Sequence, residues 1–125
     1  MRPAGKTYIH LLRAVERACS RPGSECIIIF SGQPSMEQAM RQLGDIVSCI
    51  RDFIEFKPKF FVLNFKNGSQ IRFKSVEWVG TRGDDYTSYD YVEEDHSVED
   101  FRTGPRYLEN LSLLKARATI KRNRK

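Results

Sequence analysis

Residues 26–30 read Cys26-Ile27-Ile28-Ile29-Phe30, an unbroken apolar run with three β-branched residues in its middle. The run is too short for a globular helix and shows no alternation, so neither of its faces is written for water. Strands of this kind are covered on both sides, and doubly covered strands belong to parallel sheets. The stretch therefore reads as a central parallel strand, and the rest of the chain can be placed around it.

Upstream, Ile9, Leu12, Val15 and Cys19 recur at three and four while Arg13, Glu16 and Arg17 fill the other side, which is the helical period. The spacing predicts a helix from near Gly5 to the turn signal Ser20-Arg21-Pro22-Gly23. Downstream, 31–35 break the chain. Then Met36, Ala39, Met40, Leu43, Ile46, Val47, Ile50 and Phe53 predict a second helix over 36–53, with Ser35 as N-cap and Glu37 in its first turn. Strand alternating with helix is the pattern of a parallel sheet with crossover helices.

The middle of the chain changes period. Phe61, Leu63 and Phe65 alternate with polar residues, Asn67-Gly68-Ser69 intervenes, and Ile71 and Phe73 alternate with Arg72 and Lys74. A two-residue Asn-Gly turn would pair Phe65 with Gln70 and Leu63 with Arg72, mixing apolar and charged residues on one face. A loop of odd length pairs Phe65 with Ser69 or Ile71 and aligns all five apolar residues, so a three-residue bulged turn is predicted. Asn64, Lys66, Gln70, Arg72 and Lys74 then share the opposite face. The phenylalanines interleaved with bases also suit stacking on nucleic-acid bases, but this register sends them inward together as core. A polar loop over 80–85 follows Val76-Glu77-Trp78-Val79. Next come a short strand at Tyr89, Tyr91 and Val92 that ends in acids, and a last helix from Pro105 running into a basic tail.

The chain has 125 residues and a formal net charge of +5. That is one domain's worth, read as 1–104 with a C-terminal helix and tail at 105–125. The positive balance favours a polyanionic partner such as DNA, contacted by Lys66, Arg72 and Lys74 of the hairpin and by Lys121, Arg122 and Arg124 of the tail. Three cysteines (Cys19, Cys26, Cys49) without a CxxC pair, and two histidines, argue against a zinc site and for reduced, buried thiols in a cytoplasmic protein. No apolar run is long enough to span a bilayer and no secretory leader is visible, so no membrane partner is expected.

Two short motifs carry chemistry. Gly5-Lys6-Thr7 ahead of a helix matches the last part of a phosphate-binding loop: glycine permits the tight backbone, lysine reaches phosphate oxygens, and the hydroxyl ligates magnesium. Tyr89-Asp90-Tyr91-Val92-Glu93-Glu94-Asp95-His96 matches a strand ending in the carboxylate that holds the same magnesium, with His96 where a water-positioning glutamate normally follows. If the strand ends one residue earlier, Glu94 takes the place of Asp95, and the sequence leaves both open.

Taken in order, RPAGKTYIHLL, CIIIFSGQPSMEQAM, FKNGSQIRFKS and TRGDDYTSYDYVEEDH resemble the ATPase domain of the large subunit of viral DNA-packaging terminases, over about residues 2–97. The resemblance implies an α/β fold: a partial P-loop NTPase-like sheet with flanking helices and an inserted antiparallel β-hairpin. It implies ATP and Mg²⁺ as cofactors, with Arg2, Gly5, Lys6 and Thr7 on the nucleotide, Thr7 and Asp95 on the metal, and Glu94, Asp95 and His96 at the reacting end. The family's activity is ATP-driven movement of DNA into a capsid, in the host cytoplasm. The first loop glycine, its leading strand and the glutamate are not matched, so a truncated domain with impaired hydrolysis is expected. Its open sheet edge would be covered by other terminase subunits or a second copy. The alternative is a small basic nucleic-acid-binding accessory protein without nucleotide chemistry.

Overall fold

The apolar run at 26–30 lies in β1 (Glu25–Phe30), which sits between two parallel neighbours, β4 (Gln70–Ser75) and β5 (Tyr91–Glu94). The computed structural model describes residues 3–48, 54–57, 61–82, 89–99 and 104–124. Two further strands, β2 (Ile54–Lys57) and β3 (Val62–Phe65), extend the sheet antiparallel beyond β4, giving the order β2-β3-β4-β1-β5. The fold is thus α/β with a mixed open sheet, and the hairpin is continuous with its parallel part.

Alternate residues of β1 enter different cores, which is why the run has no polar position. Cys26, Ile28 and Phe30 join Leu63, Phe65, Ile71 and Phe73 under two helices, α1 (Pro3–Ser20) and α2 (Gln33–Val47). Ile27 and Ile29 face the opposite way, toward α3 (Val76–Arg82) and α4 (Pro105–Asn123), where Val76, Val79, Tyr107, Leu111 and Leu114 complete a second cluster. Each isoleucine is at most 1% exposed. Full burial of such a side chain contributes roughly 1.5 to 3 kcal/mol, so this strand anchors both layers.

The hairpin has the predicted turn. Leu63 pairs with Ile71 and Asn64 with Gln70, Phe65 N donates to Ser69 O at 2.9 Å, and Gly68 N donates to Phe65 O at 3.0 Å. The loop is therefore 66–68. Gly68 has φ +89°, the left-handed position that a bulged three-residue turn requires. Leu63, Phe65, Ile71 and Phe73 are buried, with Phe61 packed against them.

Three expectations need correction. The buried face of α1 is Leu11, Ala14, Val15 and Ala18, whereas Ile9 and Leu12 are 38% and 42% exposed and Cys19 is exposed. Small alanines let the helix approach the sheet closely, so the inward face is not the one with the bulkiest side chains. Second, α2 starts at Gln33 with Gly32 as N-cap and Pro34 in its first turn, and it ends at Val47. Pro34 needs no amide hydrogen there, and the Ser35 hydroxyl pairs with that of Ser31 at 3.0 Å instead of capping. Of the residues assigned to the helix beyond that end, 49–53 lie outside the described ones. Third, the segment at 76–79 opens a helix, α3, which continues into the expected loop as far as Arg82; 83–88 lie outside the described residues.

Of the cysteines, Cys26 is buried, and burial pushes its thiol up to about 12. Cys19 is not buried as expected, Cys49 lies outside the described residues, and neither Cys19 nor Cys26 is in a disulfide. Among the described residues, no helix is long and apolar enough to cross a membrane.

Candidate functional site

The carboxyl ends of β1 and β5 lie side by side because the two strands are parallel and adjacent. Open α/β sheets present their ligand crevices at this end. The chain leaves β5 through Asp95, whose backbone N–H donates to Ile29 O at 2.8 Å. Asp95 then caps a 3-10 turn (His96–Val98), its Oδ2 accepting from Ser97 N at 3.1 Å. That cap fixes the carboxylate, and Oδ1 accepts a hydrogen bond of 2.9 Å from Thr7 Oγ1. Both residues are buried, Thr7 at 8% exposed and Asp95 at 3%.

Thr7 stands near the start of α1, where the first-turn amides of Ala4 and Gly5 have no acceptor within the helix. Lys6 is exposed and Gly5 half-buried. Arg2 lies outside the described residues. A cleft of about 80 Å³ opens beside the pair, lined by Thr7, Asp95, His96 and Ser97 together with Ser35 and Gln42 of α2. His96 Nε2 lies 3.9 Å from Asp95 Oδ2. Ser31 at the end of β1 ties the two strand ends together, its N–H donating to Ser97 Oγ at 3.2 Å.

Strand alternation sends the two acids in different directions. Glu94 points to the other side of the sheet, accepting from Tyr107 OH at 2.9 Å and Lys115 Nζ at 3.3 Å. Both of these partners are on α4, while Thr7 bonds Asp95. Burial raises the Tyr107 phenol, and the adjacent Glu94 carboxylate raises it further. Glu93 faces α1, where it pairs with His10 and Arg17. Burial opposes its charge, but the hydrogen bond and charge of His10 and the Arg17 guanidinium outweigh burial and hold the carboxyl below its ordinary range. Two acids at positions that a buried strand would fill with apolar residues are thereby accounted for.

The six residues assigned to nucleic acid differ in exposure and in their contacts. Lys66 and Arg124 are exposed. Arg72 Nε donates to Gln70 Oε1 at 2.6 Å, and Lys74 Nζ sits 5.0 Å from the Trp78 ring centre. Lys121 pairs with Glu25 and Asp90 at 3.5 and 3.3 Å. Arg122 donates to Asp90 O at 2.5 Å and stacks 5.2 Å from the centre of the Tyr91 ring. The expected tail is the last turns of α4, which reaches Asn123.

Sequence reading missed Ser31, Ser35, Gln42 and Ser97 at the cleft. Short polar residues around a break after a strand were the available signal, and they read equally as ordinary turn formers. It also missed His10 and Arg17, although a seven-residue spacing sets them on one helix face. In comparisons with known proteins, the chain matches no protein-family model, no curated protein and no solved structure.

Proposed function

We propose that the chain is a P-loop-type ATPase domain of the terminase large-subunit kind, binding Mg-ATP where α1 begins and β5 ends. One observation carries this reading: the buried hydrogen bond from Thr7 Oγ1 to Asp95 Oδ1. A hydroxyl at a helix start and a carboxylate at the end of a parallel strand are the two protein ligands that such ATPases offer to magnesium. The donor set suits that ion, because Mg²⁺ takes hard oxygens, keeps several waters, and is held by one or two carboxylates plus phosphate.

In this reading Thr7 and Asp95 hold the metal, while Lys6 and the first-turn amides of α1 take the phosphate oxygens. When bound there, a magnesium ion held by Thr7 and Asp95 would supply charge neutralisation at a phosphoryl group. Ser97 N and Ile29 O keep Asp95 aimed, so the carboxylate reorganises little when charge develops. His96 occupies the position after the metal-side acid and lines the cleft.

The reading is tested by calorimetric titration of the chain with ATP, with and without Mg²⁺. Magnesium-dependent binding that is lost in Lys6→Ala and Asp95→Asn is the predicted result. No ATP binding, together with DNA binding that weakens steeply with salt, would instead favour the accessory-protein reading.

A further inference from the structure

Three arginines gather on one ring at the start of β5. The guanidinium carbons of Arg17, Arg122 and Arg21 lie 4.4, 5.2 and 5.7 Å from the centre of Tyr91. Arg17 is in the last turn of α1, Arg21 is just beyond it, and Arg122 comes from the last turn of α4. Helices from opposite faces of the sheet therefore send cations to one place, beside an edge that no strand pairs among the described residues.

The aromatic face holds these heads in place but does not cancel their charge. The acids nearby are committed elsewhere: Glu93 to His10 and Arg17, Asp90 and Glu25 to Lys121. Among the described residues, Arg21 and Arg122 thus have no carboxylate partner. Arg122 donates to the carbonyl of Asp90 and reaches Thr119 Oγ1 at 3.5 Å, which leaves part of its five-donor fork unused. Arg21 is exposed, and Arg122 and Tyr91 are half-buried, so solvent reaches the group. Like charges held this close repel unless an anion comes between them. Guanidinium forks match the oxygens of phosphate, and one phosphate can bridge two forks, whereas a carboxylate offers only two oxygens and one charge.

We propose that Arg21 and Arg122, seated on Tyr91, bind a phosphoryl group, with Arg17 as electrostatic support. Tyr91 stands four residues before Asp95, roughly 13 Å along the strand, so this site is separate from the cleft and does not rest on the Mg-ATP reading. Of the six residues expected to meet DNA, only Arg122 belongs to it. The phosphoryl group comes either from a nucleic-acid backbone or from a free phosphate ester.

An isotope-labelled chain carrying Lys6→Ala, which removes the proposed phosphate contact at the other end of the sheet, is titrated with inorganic phosphate at constant ionic strength. Nuclear magnetic resonance follows the arginine side-chain Nε–H signals. The Arg21 and Arg122 signals should shift and saturate at millimolar phosphate, and chloride should not reproduce the shift. Arg21→Ala should weaken binding by about tenfold or more, the loss of a charge-assisted hydrogen bond, and Arg122→Lys should weaken it severalfold by removing the fork but not the charge. A fluorescent single-stranded oligothymidylate is measured in parallel by anisotropy. Binding tighter than that of phosphate and lost in Arg21→Ala supports the site with nucleic acid as its source; phosphate binding without it supports the site with a free ester. No saturable shift with either probe overturns the inference, as does an equal response to chloride. Unchanged affinity in Arg21→Ala, its fold checked by circular dichroism, also overturns it, and if that variant does not fold, unchanged affinity in Arg122→Lys does so.

Discussion

Thr7 and Asp95 stand 88 positions apart in sequence and meet through one buried hydrogen bond. Thr7→Val keeps the shape and removes the donor, leaving Asp95 Oδ1 buried and unsatisfied. The predicted loss is about 1 to 3 kcal/mol, read as a lower urea midpoint, and Thr7→Ser should recover most of it. Lys6→Ala should leave stability within about 0.5 kcal/mol, because the side chain is exposed. A nucleotide effect in that variant is then not a folding effect. Glu93 makes a second prediction at this scale. Its carboxyl is held below the ordinary value of 4.5, so the unfolded chain takes up the proton first as pH falls. The stability it contributes is full above about pH 5 and lost as pH drops through 4.5 toward the lower folded value. Glu93→Gln should flatten that part of the stability curve, and a variant as acid-sensitive as the parent would show that the pairing with His10 and Arg17 is not energetically significant.

Among the elements, the hairpin was the most legible from sequence. Strand parity makes a one-residue error flip every side chain, so five apolar residues on two strands admit few turn lengths. What parity does not reveal is what the turn docks on. Ser69 is 1% exposed, its hydroxyl 2.9 Å from the carbonyls of both Ala18 and Arg21. Asn67 Nδ2 donates to Ala18 O at 2.8 Å. The turn thereby satisfies carbonyls in the last turn of α1 and just beyond it, which no local pattern announces. Ser69→Ala should cost about 1 to 3 kcal/mol by leaving these groups unpaired. Gly68→Ala should cost about 1 to 2 kcal/mol through its positive φ alone, since an added Cβ meets nothing closer than 3.7 Å. Equilibrium denaturation of both variants checks the two figures. Helix α1 was legible in period but not in phase, because Ala14 and Ala18 carry less hydrophobic weight than Ile9 and Leu12 yet permit the closer approach. The cleft was half legible. Its Thr7 and Asp95 stand in recognisable motifs, whereas Gln42 is one more polar residue on an amphipathic helix until the tertiary fold leaves its oxygen without a partner.

At the scale of the molecule, β1 is the shared wall of two cores, and β5 forms one edge of the sheet. Parallel pairing of β1 and β5 is what carries Asp95 to the helix start at Thr7, so the site is a property of topology as much as of its residues. Ile28→Ala should lower stability by about 2 to 5 kcal/mol, a large share of a typical domain's total. The melting temperature of the chain, with and without saturating Mg-ATP, tests the proposed site most directly. A ligand at about 100 times its dissociation constant stabilises by about 2.7 kcal/mol. The prediction is a rise of several degrees that needs both magnesium and ATP and disappears in Lys6→Ala and Asp95→Asn; a melting temperature unmoved by millimolar Mg-ATP in the unmutated chain would contradict it.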